Sequence, residues 1–264
     1  SAAAVGPNSN AVKDYDVALG SNVNASGSGS AAVGYLVNTS GNQAFGAGSN
    51  TTVSGPAAVG IGYKSEATGN RAVALGSELN GTKNGATADY AIAVGAGARG
   101  TADSATAIGK QAAASKANAI AFGTSAAASE SSATAIGNGA AASESDTLAL
   151  GTNAAASASD AVAIGKSSKA SANSAVAIGQ DSKATGYTSV AVGNNANAGG
   201  ASGSAFGNNT VASATASLAL GNKANATFEN SVALGASSET ADKVSTSTMS
   251  IAGKSYTLAG GTAN

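Results

Sequence analysis

The hexapeptide Ser174 to Gly179, SAVAIG, returns in variant form every fourteen residues from one end of the chain to the other. A repeat that short leaves room for about two strands and two turns, so each copy is one small unit that must stack on its neighbours to bury anything. Counting from the last glycine of the hexapeptide, anchors fall at Gly6, Gly20, Gly34, Gly48, Gly62, Gly76 and Gly95. The series continues through Gly109, Gly123, Gly137, Gly151, Gly165, Gly179, Gly193, Gly207, Gly221 and Gly235. One step, from Gly76 to Gly95, is nineteen residues long.

The columns of this lattice carry the structural information. The residue before each anchor is Val, Leu, Ile or Phe throughout, with Ala47 the exception. The residue two before is always Ala or Gly, and the residue three before is again large in most copies, as in Val176, Ala177 and Ile178. Large, small, large is a period of two, which is a β-strand with two apolar faces. A strand without a polar face is covered on both sides. Past the anchor, the third and fifth residues are small and mostly apolar, as in Ala112 and Ala114, with polar residues before and after them, as in Lys110, Gln111, Ser115 and Lys116. This second strand has one buried face and one wet one.

The spacing therefore predicts an all-β fold, a two-layer parallel β-solenoid of about seventeen 14-residue coils over residues 1–240. Seventeen coils at ~4.8 Å make a rod on the order of 80 Å long. The anchor glycines fit turns that demand positive φ. Because facing alanine layers fall short of the usual ~10 Å between sheets, the bulky columns, such as Val176 and Ile178, are expected to fill the roll, leaving the Ala177 column for close approach between chains. Ordering fourteen residues costs ~20 kcal/mol, against ~1.5–3 kcal/mol for each large side chain buried, so a lone roll is marginal. Other copies of the same chain are the economical cover for the second apolar face.

Composition narrows the function. Net charge −1 with thirteen scattered Lys and Arg makes no basic patch, which argues against nucleic acid or an anionic membrane surface as partner. There is no cysteine for disulfides or thiolate metal sites, and no histidine, the commonest acid–base group and metal ligand. No cofactor, metal site or catalytic set is expected, and the chain reads as a non-enzyme. No apolar run is long enough to span a bilayer as a helix, and the opening SAAAVGPNSN lacks the regions of a signal peptide. An anchor already at Gly6 suggests a piece of a longer protein.

Two irregularities are candidates for contact. The extra five residues between Gly76 and Gly95 fall in or near Glu78 to Gly85, ELNGTKNG, whose Asn80-Gly81 and Asn84-Gly85 pairs signal turns and a protruding loop. Tyr15, Tyr35, Tyr63, Tyr90 and Tyr187 fall in turn columns, four of them in the N-terminal third. Exposed tyrosine serves recognition, and loops on rigid scaffolds carry binding residues. The candidate adhesive contacts are Tyr35, Tyr63, Glu78, Asn80, Lys83, Asn84 and Tyr90. Thr246 to Ala259 reads as two alternating strands around Ala252-Gly253-Lys254, a hairpin connector beginning a different module over 241–264.

SAVAIG and DAVAIG at Asp160 to Gly165, each with an alanine five residues past its glycine, and NSVALG at Asn230 to Gly235 resemble the YadA-like head repeats of trimeric autotransporter adhesins. The resemblance covers roughly residues 1–240. It implies a left-handed parallel β-roll, a homotrimer about one axis, and display at the cell surface beyond the outer membrane of a Gram-negative bacterium. It also implies attachment to host extracellular matrix or host cells, or self-aggregation, with no membrane contact by this stretch. The alternative is a rigid spacer in a fibrous adhesin whose binding site lies elsewhere. An acyltransferase solenoid has a three-sided coil of period six and generally uses a histidine, and calcium-binding rolls need an aspartate ladder. Neither pattern is present in this sequence.

Overall fold

The computed structural model describes residues 1–242 and 248–257, and among these there is no helix. The hexapeptide strands form one 17-stranded parallel sheet and the downstream strands a second of 16 strands. Each strand pairs with its copy one coil on: Val176, Ala177 and Ile178 lie beside Val190, Ala191 and Val192. In the second sheet Lys183 and Ala184 lie beside Asn197 and Ala198. The chain thus passes alternately through two stacked sheets, a two-layer β-solenoid of the pitch the spacing predicts.

The turns follow from the anchors. In the coil of Gly179, the Ser182 amide donates to the Gly179 carbonyl at 3.3 Å, and at the opposite corner the Ser189 amide donates to Gly186 at 3.1 Å. Asp181 and Thr188 hold left-handed φ values of 56° and 50° inside these turns, a conformation short polar side chains tolerate. Gly179 itself has φ +127°, and a Cβ there would come within 2.4 Å of the Gly193 carbonyl oxygen. Only glycine fits where successive coils stack that closely.

The interior corrects the expectation about which columns face inward. The Ala177 column is fully buried and meets the alanines of the second sheet, Ala184 among them, while Ile178 points outward with 37% of its surface exposed and Val176 is half-buried. The core is accordingly alanine on alanine, one cluster running from Ala105 to Ala233. The usual ~10 Å between sheets belongs to sheets propped apart by large side chains. Here the second strands are two residues long and closed at both corners by tight turns, which leaves room for methyl groups only.

The few larger core residues obey the same limit. Val23, Val37 and Val53 are the largest apolar side chains fully buried. Where Val37 and Thr39 occupy the second sheet, the first carries Gly46; a Cβ there would lie 2.3 Å from Thr39 Oγ1 and 3.1 Å from Val37 Cγ1. Polar core groups are mostly bonded to backbone: Ser182 Oγ donates to the Gly179 carbonyl at 2.9 Å. Asp16 is buried, accepting from the Ser30 amide at 2.9 Å, the Ser30 hydroxyl at 3.0 Å and the Lys13 amide at 2.7 Å.

With the alanines inside, the large residues of the first sheet form a continuous outward apolar strip. Leu19, Phe45, Ile61, Ile120, Phe122, Leu150, Ile178 and Leu220 each leave at least 37% of their surface exposed along it. Nothing in this chain covers that strip among the described residues. The opposite face, on the second sheet, mixes polar residues such as Asn38, Arg99 and Lys183 with a run of small ones, Ala113, Ala127, Ala141 and Ala155, and among the described residues carries no large apolar strip. Beyond the roll, Thr248–Ile251 and Lys254–Thr257 pair antiparallel about Ala252 and Gly253, the hairpin expected from the sequence. The rest of the 246–259 stretch lies outside the described residues.

Candidate adhesive surface

The nineteen-residue step leaves the lattice intact. The Glu78 amide donates to the Tyr63 carbonyl at 2.9 Å and the Gly97 amide to the Ser77 carbonyl at 2.8 Å, so both coils keep their backbone ladders up to Glu78. Asn84 then takes the inward place that Ser65 holds one coil earlier, which confines the insertion to Leu79–Lys83. Leu79 and Thr82 exchange two hydrogen bonds, 2.8 and 2.9 Å, across a turn whose central Asn80 and Gly81 have φ of 51° and 79°. Two residues with positive φ make the tight mirror-image turn that Asn-Gly favours.

Asn84 is not a surface contact, a correction to its place among the candidates. It is fully buried; Ser65 Oγ donates to its Oδ1 at 2.9 Å, and its Nδ2 donates to the Ala93 and Gly95 carbonyls at 3.1 and 2.9 Å. Its amide closes the roll after the detour, because a buried side chain with two donors and an acceptor satisfies three groups at once.

The other candidates are exposed, apart from the half-buried Glu78, but they do not share one surface. Tyr35 and Tyr63 end five-residue strands instead of sitting in turns, and they share one column with Ser49 between them. They are 51% and 49% exposed and stand two coil steps, ~10 Å, apart. Beside Tyr63, Lys64 Nζ lies 5.1 Å from the ring centroid and 2.7 Å from Glu78 Oε2. The Glu78 carboxylate, with help from Tyr63, raises the Lys64 ammonium above its ordinary pKa. Tyr90 sits at the opposite edge, where Arg71 donates to its hydroxyl at 2.9 Å with the guanidinium 5.7 Å from the ring centroid. Lys83 pairs with Glu66 on the outer face of the second sheet.

Sequence reasoning passed over Lys64, Glu66 and Arg71, the partners that hold these residues. The signal was available: Lys64 and Glu78 are fourteen residues apart, and Arg71 and Tyr90 nineteen, one lattice step in each case. Complementary side chains at the repeat spacing meet across adjacent coils just as i and i+4 residues meet on a helix.

The described residues thus form a two-layer parallel solenoid with an alanine core and one apolar outer face. The family model of the YadA head domain repeat matches residues 1–22, 54–78, 101–126, 128–154, 156–182, 184–210 and 212–238, more than half of the chain. The chain belongs to that family, an adhesin-type domain of trimeric autotransporters. Comparison with curated protein sequences returns no match.

Proposed function

We propose that this chain is the adhesive head of a surface-displayed trimeric autotransporter, three copies of which close around one axis and attach a bacterium to host matrix, host cells or its own kind. The observation that carries the proposal is the unbroken apolar strip on the outer face of the first sheet. Exposed apolar area on that scale marks an association surface, and identical rods meet column to column along their whole length. Three strips turned to a common axis leave the second sheets and the turn edges outward, where ligands meet them. Residues 241–264 then begin a following module.

Adhesion by this head is assigned to its N-terminal third. On their turn edges the coils after Gly95 present mainly Ser, Asn and Thr with scattered charges to solvent, small groups that make few desolvated contacts, with Tyr187 the exposed tyrosine among them. That uniformity favours a spacer role for the C-terminal coils. Tyr35, Tyr63 and Tyr90, with the Leu79–Lys83 hairpin, are the anchors the head offers, each present three times in a trimer, so that weak contacts gain ~10²-fold or more by avidity on a repetitive target. The test is binding of the full chain, and of a trimerised chain beginning near Gly95, to a panel of matrix proteins and host cells. The full chain is expected to bind and the shorter one to lose most of that binding; equal binding would assign adhesion to the regular coils instead.

A further inference from the structure

We propose that the notch under the Leu79–Lys83 hairpin binds a single carboxylated sugar, a deepening of the adhesive reading that rests on it. The notch lies on the outer face of the second sheet and encloses about 310 Å³, the low end of the range for small-ligand sites. Its origin is a missing side chain. In the outward column of that sheet Gly85 stands between Glu66 and Arg99, in register with both, so the floor is bare backbone flanked one coil away on each side by a charged residue. Thr87 and Thr101, two residues further along adjacent coils, wall it on the same face, and the hairpin overhangs through Thr82 and Lys83.

The chemistry of the lining selects the ligand. Lys83 is committed to Glu66, whereas Arg99 is exposed and makes no ion pair among the described residues. A guanidinium presents a planar fork of donors that matches a carboxylate bidentately. The threonine hydroxyls both donate and accept, and the Glu66 carboxylate accepts from a ring hydroxyl, so a polyhydroxylated monoanion meets every polar group of the notch. A neutral sugar leaves Arg99 without a partner. A polysulfated chain needs cations in succession, and the same column continues with Thr52 on one side and Ala113 on the other. A peptide or acyl chain needs apolar walls that these residues do not supply.

The test is saturation-transfer NMR on the intact chain with three probes: a sialic-acid-terminated trisaccharide, a glucuronic-acid-terminated disaccharide, and lactose as the neutral control. The expected result is binding of at least one acidic probe and not of lactose, with at least tenfold weaker binding for Arg99→Ala and for a variant lacking Leu79–Lys83. The two acidic probes decide between sialic and uronic acid sources. Arg99 is exposed, so its variant should melt with the parent; the comparison of acidic and neutral probes stands on the parent alone if it does not. Acidic sugars that bind no better than lactose, or that bind Arg99→Ala undiminished, would overturn the proposal. Adhesion of the parent chain to matrix or cells together with silence toward both acids would remove the sugar site and leave the adhesive head standing.

Discussion

Gly60 faces Val53 across the inside of the roll so closely that a single methyl group added to Gly60 would lie 2.5 Å from Val53 Cγ2. The pair shows that the interior has a fixed volume per coil, shared between the two sheets. In the next coil the same places hold Ala67 and Ala74, both fully buried. Gly60→Ala is expected to destabilise by ~1–3 kcal/mol through overpacking, and Val53→Ala by about 2 kcal/mol through the space it leaves. The double variant restores the alanine-on-alanine arrangement, and its melting temperature should exceed that of both single variants. Additive losses would mean that the two residues do not share a volume.

Ala177 and Gln180 lie three residues apart, one fully buried among alanines and one exposed beyond the anchor. Ala177→Phe places a ring where only a methyl group fits and is expected to prevent folding of that coil, a loss of several kcal/mol in each chain. Gln180→Phe should change stability by no more than ~0.5 kcal/mol. Thermal melts followed by circular dichroism compare them; equal melting temperatures would contradict an alanine core.

Burial works against the charge of Asp16, but the amide of Lys13 and the amide and hydroxyl of Ser30 outweigh it and hold the carboxyl below its usual range. A depressed folded pKa contributes stability that is complete above the unfolded value of ~3.9 and is lost as pH falls through the folded value. Asp16→Asn removes that contribution. The gap in melting temperature between parent and variant should therefore be constant near neutrality and shrink below about pH 4, and a gap unchanged down to pH 2 would show that the charge contributes nothing.

The period, the strand assignments, the second sheet's buried face and the number of coils were legible because each depends on a pattern repeated coil after coil. The direction of the bulky columns was not. Val176 and Ile178 alternate with Ala177 whichever face is inside, and the alternation fixes the pleat without fixing the distance between sheets. The cue lay in the second strand, where Ala184, Ala198 and Ala226 recur with nothing large enough to pair with an inward isoleucine. Gly46 and Gly60 opposite Val37, Thr39 and Val53 were the same cue in reverse. At the candidate surface, the tyrosines and the loop stood out as departures from the repeat. Asn84 misled because Asn-Gly signals a turn, while its position in the lattice, counted after the insertion, is an inward column.

Sedimentation of the chain at micromolar concentration tests the central claim, that the outward strip of Leu19, Phe45, Ile61, Ile120, Ile178 and Leu220 is an interface between copies of this chain. One folded species of three chains is expected, loosened by Ile120→Asp with Ile178→Asp and unaffected by Gln180→Asp. A stable folded monomer that leaves the strip in water would contradict it.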